Sequence, residues 1–265
     1  MSLFTADRLN AGYGAKTILN SLSFSIEEGT LLGVLGANGS GKTTLMKAVC
    51  GILPHTGSCT LNGIRLDELS ARRLAQLCSY IPQRSGVSID LSALEVVLMG
   101  FNPQLGLLEQ PTSAMREKAL DALAHVGLAG REEDNYLHLS EGQKQLCILA
   151  RTLVSSASML LLDEPESALD FHYRYRMLAI IRRWLDVGAR CALVALHDPM
   201  LALNFCDELL LLAGGKVLGV IHPGTDELSD MERLLSRLYG PVSLMRVKSK
   251  SGREHLVMLK EEECS

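Results

Sequence analysis

Apolar and polar residues alternate near the N-terminus and then give way to a short apolar run. The alternation covers residues 17–26 and is typical of a half-buried strand. The run at residues 31–35 predicts a strand that is buried on both faces. A glycine-rich loop follows it directly, and beyond this loop Leu45, Val49 and Ile52 recur at helical spacing. Gly51 and Pro54 are expected to end that helix. The pattern therefore predicts a strand, a loop and a helix in immediate succession.

The middle of the chain has the spacing of helices. Residues 92–95 and 140–143 each have the sequence of a capping box, in which a serine and a later Glu or Gln begin a helix together. Between them, the apolar residues from 115 to 126 share one helical face, and Gly127 is expected to end that helix. These features predict a helical subdomain at about residues 85–155.

The last third returns to strands that alternate with helices. Short apolar runs at residues 159–162, 192–196 and 209–212 predict buried strands, and a helical pattern around Ile181 lies between the first two. Because such alternation builds parallel sheets with crossover helices, the chain is expected to adopt an α/β fold with a mixed parallel sheet. The segment at residues 241–259 has the pattern of two short strands around a turn.

Composition and charge narrow the classes of function. The chain has 265 residues and a formal net charge of -4, and its lysines and arginines are scattered rather than clustered. A nucleic-acid-binding face is therefore not expected. The 7 cysteines form no CxxC pair, so the sequence does not predict a zinc site. The longest notable charge-free apolar stretch, residues 96–108, is too short and interrupted to span a bilayer, so a membrane role would require a partner.

The glycine-rich loop fits the phosphate-binding pattern GxxxxGK[ST]. Its glycines let successive backbone N–H groups point at phosphate oxygens, and the following helix adds its positive end. Lys42 is expected to reach the terminal phosphates, and the Thr43 hydroxyl is expected to bind Mg²⁺. The candidate nucleotide-binding residues are Gly36, Ala37, Asn38, Gly39, Ser40, Gly41, Lys42, Thr43 and Thr44.

Two carboxylates end the apolar run at residues 159–162. Adjacent residues of a strand point in opposite directions, so Asp163 and Glu164 can serve different partners. We assign Asp163 to Mg²⁺, through a coordinated water, and Glu164 to the water that attacks the phosphate. In a chain without a phosphate loop, a solvated acidic turn would be the favoured interpretation of this pair; the phosphate loop makes the catalytic interpretation the better one.

The segment Leu139-Ser140-Glu141-Gly142-Gln143 is similar to LSGGQ, the signature of ABC transporter ATPases. With the phosphate loop and the acidic strand end, it makes nearly the whole chain resemble the ATP-binding cassette of that family. Glu141 stands where the signature has glycine. The departure leaves the Ser140 hydroxyl, the Gly142 backbone and the helix N-terminus available to a γ-phosphate. The Glu141 carboxylate is expected to point away from that phosphate.

The resemblance implies a P-loop NTPase core with an N-terminal antiparallel β subdomain and an inserted helical subdomain. It implies an ATPase domain over residues 1–240, followed by a short β tail over residues 241–265. It also implies a head-to-tail homodimer that hydrolyses ATP with Mg²⁺. Each ATP would lie between the phosphate loop of one subunit and Ser140, Gly142 and Gln143 of the other.

Further positions resemble the family one by one. Tyr13 resembles the aromatic residue that stacks on adenine, and Gln83 resembles the glutamine that contacts Mg²⁺ or the attacking water and senses the membrane partner. Ser167-Ala168-Leu169-Asp170 resembles the D-loop, which crosses the dimer interface; Glu166, before it, replaces a commoner threonine and receives no role. His197 resembles the histidine that contacts the γ-phosphate, and it follows a strand end, where open parallel sheets place ligands.

One branch of the family fits best. The sequence around His197-Asp198, the segment at residues 204–212 and the tail at residues 238–242 resemble importer ATPases for iron–siderophore complexes, haem or cobalamin. The resemblance implies docking on a transmembrane permease at the cytoplasmic face of the cell membrane. It also implies a separate extracytoplasmic binding protein that delivers the cargo. Importers of molybdate or other metal chelates remain open.

Other functions are weighed against this one. A soluble ABC ATPase of the DNA-repair type would carry a coiled-coil insert between loop and signature, and no sustained heptads occur there. A cluster-assembly ATPase stays open. A GTPase would show an NKxD element, which the sequence lacks, and a small-molecule kinase would usually have an arginine-rich lid. A purely regulatory nucleotide-binding protein would not need Glu164 and His197.

Overall fold

The computed structural model describes residues 2–83, 87–88, 90–106, 108–167 and 169–261. The strands are β1 (Ser2–Tyr13), β2 (Lys16–Glu27), β3 (Leu31–Leu35), β4 (His55–Leu61), β5 (Ile64–Arg65), β6 (Cys78–Ile81), β7 (Met159–Asp163), β8 (Cys191–Ala195), β9 (Glu208–Ala213), β10 (Lys216–Ile221), β11 (Val242–Lys248) and β12 (Glu254–Lys260). The α-helices are α1 (Lys42–Val49), α2 (Ala71–Leu77), α3 (Ala93–Leu98), α4 (Ser113–His125), α5 (Glu141–Leu153), α6 (Phe171–Leu185), α7 (Pro199–Phe205) and α8 (Leu228–Tyr239). Residue 85, the predicted start of the helical subdomain, and Ala168 of the D-loop lie outside the described residues.

The central sheet is mixed, as the sequence predicts. Its strand order is β10-β9-β3-β8-β7-β6, with parallel pairing from β9 to β6 and antiparallel pairing between β9 and β10. Strand β3 is buried along its whole length, and its side chains alternate between two apolar cores. Leu31 and Leu35 face the core shared with the helical region, whereas Leu32 and Val34 face the core shared with the N-terminal sheet.

An antiparallel sheet covers one face of this central sheet. Its strand order is β2-β1-β4-β5, and it packs Phe4, Leu9, Leu22 and Leu61 into the second core. From Asn20 to Glu27, strand β2 alternates exposed positions with buried or half-buried ones, as expected of a strand with one solvated face. The fold therefore has the predicted N-terminal antiparallel part.

The helical region forms between the two capping boxes. The Ser92 and Ser140 side chains each accept the backbone N–H three residues later, while Glu95 and Gln143 reach back to the serine N–H. Both boxes are complete, as predicted. Helix α4 ends at His125, and Gly127, two residues later, has a φ of 78°, which glycine adopts readily.

The helix after the glycine-rich loop is shorter than its apolar spacing predicts. Helix α1 ends at Val49, and the N–H groups of Ile52 and Leu53 both turn back to the carbonyl of Lys47. Gly51 allows this turn because its φ is 69°. Ile52 is therefore 59% exposed, and the prediction that it continues the buried stripe of Leu45 and Val49 is wrong.

The C-terminal segment forms the hairpin expected from its sequence. Strands β11 and β12 pair antiparallel, and the hairpin packs on α7. Asn204 of α7 donates to the Leu256 carbonyl at 2.9 Å and accepts the Leu256 N–H at 3.0 Å. Within the described part of the chain, no helix has both the length and the apolarity needed to cross a bilayer.

Candidate active site

The glycine-rich loop curls tightly between β3 and α1. Gly39 and Gly41 have φ angles of 78° and 112°, in the region that favours glycine. At Gly36, a Cβ atom would lie only 2.3 Å from the Leu212 carbonyl oxygen. The Ser40 hydroxyl is buried and has no hydrogen-bond partner among the described residues. A curled backbone and an unsatisfied buried hydroxyl are features that a bound phosphate would use.

Lys42 and Glu164 meet at the mouth of this loop. The Lys42 ammonium is buried, donates to the Gly36 carbonyl at 2.8 Å and lies 3.3 Å from Oε1 of Glu164. The amide of Gln83 donates to Oε2 of Glu164 at 2.8 Å. Three residues that the sequence assigns to one reaction are thus in contact, although they come from separate parts of the chain.

Asp163 faces the start of α1. The Thr43 hydroxyl donates to Oδ1 of Asp163 at 3.1 Å, and the Tyr80 hydroxyl donates to Oδ2 at 3.3 Å. Burial raises the pKa of the Asp163 carboxyl group, and the hydrogen bonds from Thr43 and Tyr80 partly oppose the shift. Sequence reasoning did not single out Tyr80, whose only signal is its place one residue before the end of β6.

The hydroxyl and carboxylate at this point suit a hard cation. Mg²⁺ prefers oxygen ligands, and Thr43 and Asp163 already place two such oxygens within hydrogen-bond distance. The side-chain oxygen of Gln83, which lines the same cleft as Thr43, offers a third oxygen ligand for the cation. The donor chemistry therefore fits Mg²⁺.

Backbone geometry separates the two neighbouring carboxylates. Strand β7 ends at Asp163, and Glu164 has a φ of 48°, which is uncommon for a residue other than glycine. The Glu164 N–H donates to the Ala195 carbonyl at 3.1 Å, and this bond holds the turn. Asp163 consequently contacts Thr43, whereas Glu164 contacts Lys42, so each carboxylate has its own partners as predicted.

Lys42, Thr43, Gln83 and Glu164 line an open cleft of about 660 Å³. Tyr13 and His197 border it together with Gln83 and Glu164, and about half of the Tyr13 side chain is exposed. The remaining lining residues are Lys16, Ile18, Asn38, Gly39, Ser40, Gly41, Thr44 and Ser167. One chain thus gathers the loop, the acidic strand end and the candidate adenine and phosphate contacts.

The signature residues do not line this cleft. The Ser140 hydroxyl accepts the Gln143 N–H at 3.3 Å, and the Gln143 amide oxygen accepts the Ser140 N–H at 3.0 Å. At Gly142, a Cβ atom would lie 3.0 Å from the Tyr173 ring. Asp170 accepts the Tyr173 N–H at 3.0 Å and so caps α6. Within one chain, these residues make helix caps and packing contacts rather than a phosphate site.

The Glu141 carboxylate is held along the side of α5. It accepts a hydrogen bond from the Lys144 ammonium, one turn further into the helix, at 2.8 Å. This ion pair directs the carboxylate away from the N-terminal end of α5, in keeping with the expectation from the sequence. The helix N-terminus and the exposed Ser140 hydroxyl remain accessible to another molecule.

Comparison with known proteins places this geometry in a family. Residues 19–167, more than half of the chain, match the family described as ABC transporter. The chain belongs to the ABC transporter family. Its members' ATP-binding subunits are ATPases. Among the residues expected to act in ATP binding and hydrolysis, loop residues 38–44, Gln83, Glu164 and His197 line the cleft, whereas Ser140, Gly142, Gln143 and Asp170 do not.

Several relatives of the chain are named as import ATP-binding proteins. The chain is 36% identical to the hemin import ATP-binding protein HmuV of Bordetella bronchiseptica, over 89% of this chain and 91% of that protein. It is 39% identical to HmuV of Pseudomonas fluorescens, over 83% and 87% of the two chains. It is 35% identical to the cobalamin import ATP-binding protein BtuD of Halobacterium salinarum, over 76% of this chain and 50% of that protein.

Solved structures share the fold of this ABC ATPase. An inward-facing putative metal-chelate type ABC transporter contains a chain that aligns with a TM-score of 0.82 and 24% identity, over 98% of this chain and 99% of that one. A nucleotide-free ATP-binding cassette aligns with a TM-score of 0.79 and 21% identity, over 89% and 96% of the two chains. At these identities, the likeness supports the fold alone.

Proposed function

We propose that this ABC ATPase binds ATP with Mg²⁺ in a homodimer and uses hydrolysis to drive import of a metal chelate through a separate permease. The proposal of ATP hydrolysis rests on one observation: Glu164 contacts both Lys42 and Gln83 in the cleft beside the curled loop. The observation that carries the import part is the similarity, over most of both chains, to hemin import proteins.

The residues of the cleft would divide the work as follows. Tyr13 stacks on the adenine ring, and the loop N–H groups with Lys42 hold the phosphates. Glu164 orients and deprotonates the attacking water, while His197 contacts the γ-phosphate. Thr43, Asp163 and Gln83 would hold Mg²⁺ directly or through water. When bound, the metal neutralises developing charge on the phosphates.

In the proposed ATP site, a single chain supplies ligands for the γ-phosphate from the loop side of the cleft. The γ-phosphate would need donors opposite the loop, and Ser140, Gly142 and Gln143 offer a helix N-terminus outside the cleft. A second copy in head-to-tail orientation would bring this N-terminus to the phosphate. Asp170 would lie in the segment that crosses between the copies. A closed two-fold dimer would then contain two such sites.

The partners follow from the same proposal. A permease would bind beside Gln83 and the helical region at the cytoplasmic face of the membrane, so that nucleotide state and permease conformation are coupled. A separate extracytoplasmic protein would deliver the cargo. Haem, cobalamin and ferric siderophores are the favoured cargo class, because the relatives are hemin and cobalamin import proteins.

Two measurements test the proposal in order. The purified chain is first assayed for release of phosphate from Mg²⁺-ATP with no phosphate acceptor added; absence of turnover in every preparation would refute an ATPase. The chain is then reconstituted in vesicles with a permease that copurifies with it, and haemin, cobalamin and ferrichrome are compared as cargo. ATP-dependent uptake of one of them supports the proposal. If the vesicles take up none of these three compounds but do take up molybdate, the proposed cargo class is wrong.

A further inference from the structure

Glu166 is a buried acidic residue beside the reaction centre. It lies three positions after Asp163, and only 1% of its side chain is exposed. Acidic side chains are rarely buried to this extent unless they serve a specific partner. No motif in the sequence assigns this residue a role in the reaction.

Its partner is the backbone of His197. Oε1 of Glu166 accepts the His197 N–H at 2.7 Å. The Glu164 N–H donates to the Ala195 carbonyl at 3.1 Å. These two bonds join the turn after β7 to the end of β8, so they fix the residue proposed as base relative to the histidine proposed to contact the γ-phosphate.

Glu166 is also tied to the segment that follows it. Its backbone carbonyl accepts the Leu169 N–H at 3.0 Å, and the Leu169 carbonyl accepts Nε of Arg174 at 2.7 Å. One residue therefore contacts both the start of the His197 segment and the segment proposed to cross the dimer interface. A change at Glu166 would alter the geometry of the reaction without touching ATP.

The side chain acts here as a hydrogen-bond acceptor and not as an ion-pair partner. Its second oxygen, Oε2, is buried and lacks a hydrogen-bond partner within the described part of the chain. A full negative charge would be costly in this setting. Burial raises the pKa of the Glu166 carboxyl group, and the nearby Glu164 charge raises it further, against the effects of the His197 N–H and Arg174.

We propose that Glu166 is a positioning residue for ATP hydrolysis, whose side-chain oxygen accepts the His197 N–H and holds the His197 backbone at a fixed place relative to Glu164. The inference rests on the proposed function, because the roles of Glu164 and His197 belong to it. Glu164, whose φ is 48°, is itself held by the bond from its N–H to the Ala195 carbonyl, so the His197 segment is the part that Glu166 holds. Loss of the acceptor would also leave the His197 N–H without this partner.

A matched pair of variants tests the inference. E166Q and E166M both remove the charge and keep a side chain of similar length, but only E166Q keeps an oxygen acceptor. E166Q is expected to hydrolyse ATP within about threefold of the wild-type kcat, whereas E166M is expected to lose about tenfold or more, with little change in ATP affinity. If hydrolysis instead required the negative charge of Glu166, kcat would fall as much in E166Q as in E166M. That result would overturn the inference.

A double-mutant cycle separates positioning from a general structural role. If Glu166 acts through His197, adding E166M to H197A should lower kcat no further. If the two substitutions instead lower kcat by independent factors that multiply in the double variant, the proposal is contradicted. Hydrogen exchange at the His197 amide is the second measurement, and it applies even if E166M folds poorly: slow exchange is expected in the wild type and in E166Q. Fast exchange in the wild type would show that the bond is absent.

The same set of variants shows which proposal has failed. If H197A and E164Q hydrolyse ATP normally, the roles in the proposed function are wrong, and the inference falls with them. If both lose activity while E166M retains the wild-type kcat, only the inference about Glu166 is wrong.

Discussion

The ammonium of Lys42 lies 3.3 Å from Oε1 of Glu164, so the proposed phosphate ligand and the proposed base neutralise each other. Both side chains are largely buried, which makes the pair sensitive to the loss of either partner. ATP would compete with Glu164 for the lysine. Binding of the terminal phosphates would therefore free the Glu164 carboxylate in the same event that delivers its substrate.

Lys42→Ala should weaken ATP binding. Charged hydrogen bonds contribute about 1.5–3 kcal/mol, so the dissociation constant for Mg²⁺-ATP should rise by about tenfold to hundredfold. Equilibrium binding of a fluorescent ATP analogue measures the change. Lys118→Ala, on an exposed face of α4, is the control and should bind normally. Equal affinities in both variants would remove Lys42 from the phosphate site.

Asp163→Asn should raise the Mg²⁺ concentration needed for hydrolysis. The substitution keeps the size of the side chain but removes the negative charge that would attract the cation. Tyr80→Phe is the matched control, because it removes only the hydrogen bond to Oδ2 of Asp163. Phosphate release is measured while Mg²⁺ is titrated after EDTA treatment. The assignment fails if Asp163→Asn and wild type reach half-maximal rate at the same Mg²⁺ concentration.

Ser140→Arg should prevent dimer closure and spare ATP binding. The arginine would place a bulky side chain at the exposed N-terminus of α5 and would also remove the helix cap, which contributes about 1 kcal/mol. Ser92→Arg removes the same kind of cap from α3 and controls for lost stability. Only the change at Ser140 should abolish the ATP-dependent dimer. An ATP-bound dimer of Ser140→Arg would contradict the role in trans.

Local patterns in the sequence predicted most of the fold. The two capping boxes at Ser92 and Ser140 could be identified because all of their partners lie within three residues. The buried strands could be identified because parallel strands covered on both faces are continuously apolar. The hydrophobic spacing misplaced Ile52, because the turn at Gly51, a residue expected to end the helix, reversed the chain before another helical turn could form.

Contacts between distant residues could not be predicted in the same way. Glu166 and His197 are 31 positions apart, and Asn204 and Leu256 are 52 apart, so neither bond leaves a local pattern. The phosphate loop and the acidic strand end were predicted separately, each from its own motif. Their meeting at Lys42 and Glu164 depends on the sheet order, which places β3 and β7 on either side of β8.

Glu166→Gln should stabilise the fold more at high pH than at low pH. Burial raises the pKa of this carboxyl group in the folded state, so the folded state holds its proton where the unfolded state releases it. The contribution to stability is complete below the unfolded pKa and is lost as the pH rises through the folded pKa. Glutamine does not titrate, so the variant avoids that loss.

The difference in unfolding free energy between the Glu166→Gln variant and the wild type should therefore grow with pH, by about 1.4 kcal/mol for each unit by which the pKa is raised. Denaturant unfolding at several pH values from 4 upwards, about the range in which carboxyl groups titrate, measures it. Other titrating groups cancel in this difference. A constant difference, or one that shrinks with pH, would show that the buried carboxyl group is not shifted as stated.

The composite ATP site is tested most directly by the molar mass of Glu164→Gln in solution. This substitution keeps the size of the side chain but removes the proposed base, so ATP should bind without being hydrolysed and the closed dimer should accumulate. Light scattering after size exclusion, in Mg²⁺-ATP, should then give twice the monomer mass. The double variant with Ser140→Arg should give the monomer mass. Normal hydrolysis by Glu164→Gln, or a monomer that holds ATP under the same conditions, would contradict the account.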